Sequence, residues 1–301
     1  MNFNLGLVHA PLTPFAEGRI DYSTYGRLLD FHLRNGTEAL ALPMHVGESV
    51  SLTTGERQEL LEFTVRHVGG RVPVVAHVSE AGTAIAASLA AHAQKVGAAA
   101  LIATVPYYWT PPQPMLVEHF ATIGRAGGLP FFVLNAPADM GGVEFASKSA
   151  VELIGRLPEF AGLIDTSMDW QYMIEVVTVA RAEKPDFQFV SGTEYMISAA
   201  AVGATGLVST LASVSPLLVR NLYRACRTET YAAARHLQED AAILFRLMRD
   251  AGVSGLKVAA AMLGRDCGEP RPPLVPWRDG KALFAAMSVA GSFKAEPRGW
   301  A

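Results

Sequence analysis

Eight short apolar runs recur along this chain, each parted from the next by a longer stretch of helical periodicity, and that alternation leaves few folds open. The runs are Gly6–Ala10, Ala39–Pro43, Val72–Val78, Ala99–Thr104, Phe131–Leu134, Leu163–Asp165, Phe187–Ser191 and Gly206–Ser209. Strands with so little polar alternation are buried on both faces, as in parallel sheets covered by helices. Glycine marks many joins: Gly36 closes the helical stretch Tyr22–Asn35, and Gly69-Gly70 close the one that follows. Glycine reaches the left-handed conformation that ends a helix. Thr53 and Glu56 have the spacing of a capping box, which starts a helix. An eightfold strand–helix repeat reads as an α/β protein of the TIM (β/α)8 barrel type. A doubly wound open sheet is the alternative, but no strand runs into a GxGxxG turn.

From Pro216 onward the pattern is helical only, in the segments Pro216–Arg227, Tyr231–Asp250, Val253–Leu263 and Lys281–Ala290. The expected layout is a barrel over residues 1–228, ending with its eighth helix, and a C-terminal three-helix extension over 229–301. Pro270, Pro272, Pro273 and Pro276 form a rigid connector, and the tail Phe293–Ala301 is expected to fray. Hydrophobic residues make up 50% of the chain and charged residues 18%, the balance of a well-filled core. No apolar run reaches the roughly 18 residues that cross a bilayer, and the start lacks the basic head and cleavage site of a signal peptide. Cys226 and Cys267 have no metal-ligand spacing, so a reducing cytoplasm is the expected location. A net charge of −3 with no basic cluster argues against nucleic acid or an anionic membrane as partner. No cofactor motif stands out, and the expected partner is a small-molecule ligand.

Several fragments then fall in a meaningful order: Thr13-Pro14-Phe15, Gly47-Glu48-Ser49, Pro106-Tyr107-Tyr108, Asn135-Ala136-Pro137, Gly203-Ala204-Thr205-Gly206-Leu207-Val208-Ser209, Leu256-Lys257 and Pro273-Leu274-Val275-Pro276. In this order the chain, from about Gly6 to Gly291, resembles the dihydrodipicolinate synthase and N-acetylneuraminate lyase family of class I aldolases. The resemblance implies a barrel that captures a 2-oxo acid as an imine on a strand-six lysine. It also implies assembly as a homodimer or homotetramer, with Tyr107 or Tyr108 passing between barrels. Matching Gly162-Leu163-Ile164-Asp165-Thr166-Ser167 to the family's GIKDSS segment puts Ile164 at the lysine. An isoleucine has no nitrogen, so no imine can form there. The six lysines, Lys95, Lys148, Lys184, Lys257, Lys281 and Lys294, all fall away from the strand ends where such barrels work.

The other implied residues change as well. His45 stands where the relay threonine is expected and Leu134 where a tyrosine is; Asp139 replaces the arginine that holds a substrate carboxylate, and Tyr108 is retained. An arginine-to-aspartate change moves the local charge by two units, a large alteration in a low-dielectric cleft. The expected strand-end set is His45, Glu48, His77, Tyr108, Asn135, Asp139, Asp165 and Glu194. His45 and Tyr108 are the candidates for proton transfer. The amides of Val46 and Gly47 could receive a carboxylate, and His77, Asn135, Asp139, Ile164, Asp165, Glu194 and Val208 could line the ligand. Plainer roles compete with these. Asp165, Thr166 and Ser167 can cap the sixth helix, expected over Met168–Ala180, and Glu194 can begin the seventh. Glu48 fits a scaffold role, His77 a satisfied polar residue, and Asn135 a backbone-bonding turn residue. His9 lies deeper and carries no assigned chemistry. Three readings stay open: a lyase or hydratase without imine chemistry, a non-catalytic binding barrel, and a metal-assisted lyase using His45, His77, Asp165 or Glu194.

Overall fold

All eight apolar runs become parallel strands of one closed barrel in the computed structural model, which describes residues 3–300. They are β1 (Leu7–His9), β2 (Ala39–Leu42), β3 (Val74–His77), β4 (Ala100–Thr104), β5 (Phe131–Asn135), β6 (Phe160–Asp165), β7 (Gln188–Ser191) and β8 (Gly206–Ser209), with β8 closing onto β1. The covering helices are α1 (Tyr22–Arg34), α2 (Thr54–Val68), α3 (Thr83–Val96), α4 (Gln113–Gly127), α5 (Ser147–Arg156), α6 (Trp170–Glu183), α7 (Met196–Ala201) and α8 (Pro216–Arg227). The expected capping box of Thr53 and Glu56 starts α2. Two strands start more than one residue away from expectation. β3 starts only at Val74, after Pro73, which has no N–H to give to the ladder. β6 starts earlier than expected, at Phe160, and shifts register opposite Phe131 and Phe132. A Cβ on Gly162 would stand 2.3 Å from the Gln188 carbonyl oxygen, so only glycine lets β6 lie this close to β7.

Strand parity decides which side chains reach the barrel axis. The Phe131 ring lies 6.0 Å from Phe120 of α4 and therefore faces outward. Phe132 faces inward and meets Phe3, which enters from the N-terminal end, at 6.2 Å. Residues in register share a face. Following the pairings round the barrel makes Val8, Ala41, His77, Thr104, Leu134, Ile164, Val190 and Val208 the last inward-facing residues of β1 to β8. They form the upper ring of the core.

The C-terminal extension comprises α9 (Tyr231–Met262), broken at Gly252 (φ 62°), and α10 (Gly280–Met287). That break falls between the two helical segments expected on either side of it. No helix among the described residues is long and apolar enough to cross a membrane. The tail does not fray over its described part. Asp240 accepts from the amides of Gly291 (3.0 Å) and Ser292 (2.8 Å), and Phe293 is buried. Arg265 donates to the carbonyls of Pro297 (2.7 Å) and Gly299 (3.0 Å). Glu296 reaches the start of α8 and accepts from Leu217 (3.0 Å) and Leu218 (2.8 Å). The free amides and the dipole of a helix N-terminus offset part of the cost of burying this carboxyl group. These polar anchors are spread over distant residues, which is why composition alone suggested a loose end.

His9, His32, His77 and His119 are buried. Burial is the main cause that holds His9 and His77 at about 3, His119 at about 4 and His32 well below its ordinary value. The unfolded imidazole titrates near 6.5, so the unfolded state takes up the proton first as pH falls. Each such histidine then removes stability below that pH, at about 1.4 kcal/mol per pH unit. Glu296 has the opposite sign. Burial lifts it from 4.5 to about 7, so its contribution is present at low pH and is lost as pH rises through that window. In urea melts from pH 7 to pH 5, His119→Leu should therefore gain stability relative to wild type, by about 1.4 kcal/mol per unit. Glu296→Gln should lose it. Parallel curves for wild type and His119→Leu would contradict this account.

Candidate functional site

After β2 the chain makes a 3₁₀ turn, His45–Gly47, at the C-terminal rim of the barrel. The Gly47 amide donates to the Met44 carbonyl (3.0 Å), the Glu48 amide donates to His45 (2.9 Å), and the Thr13 hydroxyl donates to the Gly47 carbonyl (2.7 Å). A Cβ on Gly47 would come within 3.1 Å of the Pro11 oxygen, which explains the glycine. The Gly47 amide, expected to help receive a carboxylate, is engaged within its own turn. Among the turn residues, His45 and Val46 have amides outside these bonds. The His45 side chain is exposed, and that of Val46 is buried.

Glu48, left-handed at φ 57°, ties this turn to the C-terminal extension. Its carboxylate pairs with the Lys257 ammonium at 2.7 Å and accepts from the Arg271 amide at 2.8 Å. Lys257 also lies 4.3 Å from the centre of the Phe15 ring and donates to the Glu269 carbonyl. Burial lowers the Lys257 pKa, and Glu48 opposes that shift. Lys257 is thus an internal tie of the scaffold. Lys95, Lys148, Lys281 and Lys294 are exposed, and Lys184 donates to Pro158 and Phe160 at the opposite end of β6.

The upper ring places Ile164 between Leu134 and Val190, fully buried. Four neighbouring strands, β5 to β8, therefore present an unbroken aliphatic arc of Leu134, Ile164, Val190 and Val208. The two polar ring members sit on β3 and β4. Ser79 accepts from the Thr104 amide (2.7 Å), which directs the Ser79 hydroxyl proton to Nε2 of His77, also 2.7 Å away. His77 Nδ1 then donates to the Pro43 carbonyl (2.8 Å). With both ring nitrogens engaged and its basicity suppressed by burial, Arg57 and nearby His45, His77 brackets β2 to β3. The satisfied-residue reading of His77 fits this geometry. The Thr104 hydroxyl, by contrast, is buried and has no partner. Its identity at the end of an apolar strand gave no signal; only the register of the closed barrel puts it beside Leu134.

The remaining candidates do not gather with His45. Asp165 faces away from the axis, accepts from Asn135 Nδ2 (2.7 Å) and from Ser167 (2.8 Å), and has its pKa raised by burial. It does not cap the sixth helix. That cap is Asp169, which accepts from Gln171 (2.8 Å) and Tyr172 (3.1 Å) because α6 begins only at Trp170. Asn135 does bond backbone, accepting from the Phe145 amide at 3.0 Å. Glu194 precedes α7 but holds the end of β8, accepting from Ser209, Thr210 and Leu211. Burial raises its pKa as well. Asp139 is exposed in the turn after β5. Tyr107 donates to Glu80 (2.9 Å), which Arg57 also grips at 2.8 Å. Tyr108 is fully exposed at a strained φ of 86°. Among the described residues no group of three or more histidine, cysteine or acidic side chains is placed to hold a metal ion, so the set His45, His77, Asp165 and Glu194 does not converge.

An aldolase-type (β/α)8 barrel with a closed helical extension is thus defined by strand order, rim turn and buried Glu48–Lys257 pair. The chain belongs to the dihydrodipicolinate synthetase family, whose model matches residues 4–287. Members of this family are lyases. The chain is 33% identical over 295 residues to the 4-hydroxy-tetrahydrodipicolinate synthase of Bartonella bacilliformis, covering 96% of this chain and 99% of that one. The crystal structure of dihydrodipicolinate synthase from Aquifex aeolicus superimposes with a TM-score of 0.91 at 29% identity, over 98% of this chain and 99% of that one. A protein characterised as the first monomeric dihydrodipicolinate synthase variant matches with a TM-score of 0.90 at 25% identity, over 95% and 96% of the two chains.

Replacing Lys257 by methionine would strand the buried Glu48 carboxylate. The expected loss is about 3–5 kcal/mol in equilibrium unfolding. A loss below about 1 kcal/mol, the range of an exposed pair, would show that the tie is not a buried one.

Proposed function

We propose that this chain is a divergent family member that acts on or binds a small polar oxo or hydroxy compound without lysine imine chemistry, and is not a dihydrodipicolinate synthase. The observation that carries the reading is Ile164, buried in the upper ring at the position where the resemblance expects the imine lysine. Support also comes from Leu134 beside it and from Asp139, an acid where a carboxylate-holding arginine is expected. An acid at that position disfavours a dicarboxylate substrate by charge alone. In this reading His45 moves a proton next to the ligand's carbonyl or hydroxyl carbon, since its ring is exposed at the rim and an imidazole has one nitrogen to accept a proton and one to give it. Tyr108 contributes across a homodimer or homotetramer. That part is supported by its complete exposure and strained backbone, while neighbouring Tyr107 is held by Glu80. A non-catalytic binding barrel is the second reading, favoured by the full exposure of Tyr108, which leaves His45 without a second proton-transfer candidate in contact with it in one chain. The metal-assisted reading has no converging ligand set behind it among the described residues.

Borohydride reduction in the presence of pyruvate, followed by peptide mass spectrometry, should give no covalent adduct. An adduct on any lysine, Lys257 included, would overturn the reading. His45→Ala should reduce turnover of an identified substrate by about 10²–10⁴-fold while the ligand still raises the melting temperature. Unchanged turnover would remove His45 from the mechanism. Ligand binding without turnover in the wild-type chain would select the binding barrel.

A further inference from the structure

Two short 3₁₀ turns, His45–Gly47 and Ser49–Ser51, meet at Glu48, and both are gripped from outside. The Gly47 carbonyl accepts from the Thr13 hydroxyl (2.7 Å). The Glu48 carboxylate pairs with the Lys257 ammonium (2.7 Å) and accepts from the Arg271 amide (2.8 Å). The Ser51 carbonyl accepts from the Arg271 guanidinium (3.2 Å). All but the first of these contacts come from the C-terminal extension. Arg271 is itself fixed by two bonds to Glu56 (2.8 and 2.6 Å), and it shares the Phe15 ring with Lys257, at 4.4 and 4.3 Å from the ring centre. Beside them the Phe15 amide donates to the Cys267 carbonyl (3.1 Å), and a Cβ on Gly268 would stand 2.0 Å from the Phe15 oxygen. The extension is therefore pressed onto the rim turn and the end of β1 together.

Residue 48 does not take its conformation by preference. Glu48 sits at φ 57° and ψ 40°, in the left-handed region. A residue with a Cβ enters that region rarely and stays only where its surroundings over-determine it. Two bonds depend on it: the Glu48 amide donates to the His45 carbonyl (2.9 Å), and the Glu48 carbonyl accepts from Ser51 (2.9 Å). Were residue 48 to leave the left-handed region, both would break and the His45 backbone would turn with them. The His45 side chain is exposed, so its backbone places the ring more than packing does. We propose that Lys257 and Arg271 are positioning residues for His45: by clamping Glu48 in its left-handed conformation, the C-terminal extension fixes where the His45 ring stands at the rim. The proposal rests on the assignment of proton transfer to His45 and adds what holds that group in place.

The test compares Glu48→Leu/Lys257→Met, Glu48→Gly/Lys257→Met and Arg271→Ala with wild type, each as the full chain, by residue-resolved amide hydrogen exchange and NMR of the His45 ring. Exchanging the buried ion pair for an apolar pair strands no charge, so the fold is retained where a single change would threaten it. In Glu48→Leu/Lys257→Met the amides of residues 48 and 51 should exchange at least about tenfold faster, the measure of one lost hydrogen bond, and the His45 ring signals should broaden or double. The Phe145 and Leu218 amides, bonded elsewhere in the barrel, should not change. Glu48→Gly/Lys257→Met should recover most of the protection, because glycine takes a positive φ without steric cost. Arg271→Ala leaves the ion pair in place and should speed the same two amides by a smaller factor.

Wild-type exchange and ring signals in Glu48→Leu/Lys257→Met would overturn the proposal. If that variant does not fold, wild-type behaviour of Arg271→Ala does so instead. A rise shared by Phe145 and Leu218 would reduce the clamp to global stability, and equal loss in the leucine and glycine variants would leave the left-handed conformation without a role; either result also sinks it. Turnover of His45→Ala tests proton transfer separately. Exchange that follows the clamp while His45→Ala keeps full turnover removes His45 from the chemistry and leaves the clamp standing.

Discussion

Closure of eight parallel strands sends alternate residues to the axis and the rest to the helices, and this single constraint settles the chemistry available to the barrel. It turns Ile164, Leu134, Val190 and Val208 inward as one surface and sends Asp165 and Asn135 outward, where they bond each other. A carboxylate one residue from a reactive position in sequence is thereby separated from it by the sheet. The acid of β6 therefore serves the loops outside the barrel, and the mouth is left with an apolar wall.

The polar groups that remain near the mouth divide into those already spent and those still free. Ser79, His77 and the Pro43 carbonyl form a closed hydrogen-bond relay joining three strands, and Glu194 closes β7 to β8 in the same manner. Glu48 is spent on Lys257, which binds the rim turn to the extension. Such satisfied networks rigidify a site at the expense of reactivity. His45, the Thr104 hydroxyl and the second carboxylate oxygen of Glu194 are what is left over, the first exposed at the rim and the other two buried below it.

The tail adds a further level of organisation beyond the family match, which ends at residue 287. Glu296 places a carboxylate on the amides that open α8, and the loop just before that helix is the one Glu194 holds. The C-terminal segment is thus joined mechanically to the rim between β7 and β8. Its fastening depends on single polar residues separated by tens of positions, Asp240 and Arg265 among them.

Much was legible from the chain itself. Burial on both faces writes itself into sequence as continuous apolar runs, so the eight strands, the capping box at Thr53 and the break near Gly252 could all be read locally. The absence of an amine at Ile164 was legible too, because a side chain's functional group does not depend on its surroundings. Roles that depend on direction were not. Whether Asp165 caps a helix, whether the Gly47 amide is free, and whether a threonine at the end of β4 meets a partner are decided by register and loop closure. Those are long-range pairings that bring residues tens of positions apart to within hydrogen-bond reach, and no local pattern encodes them.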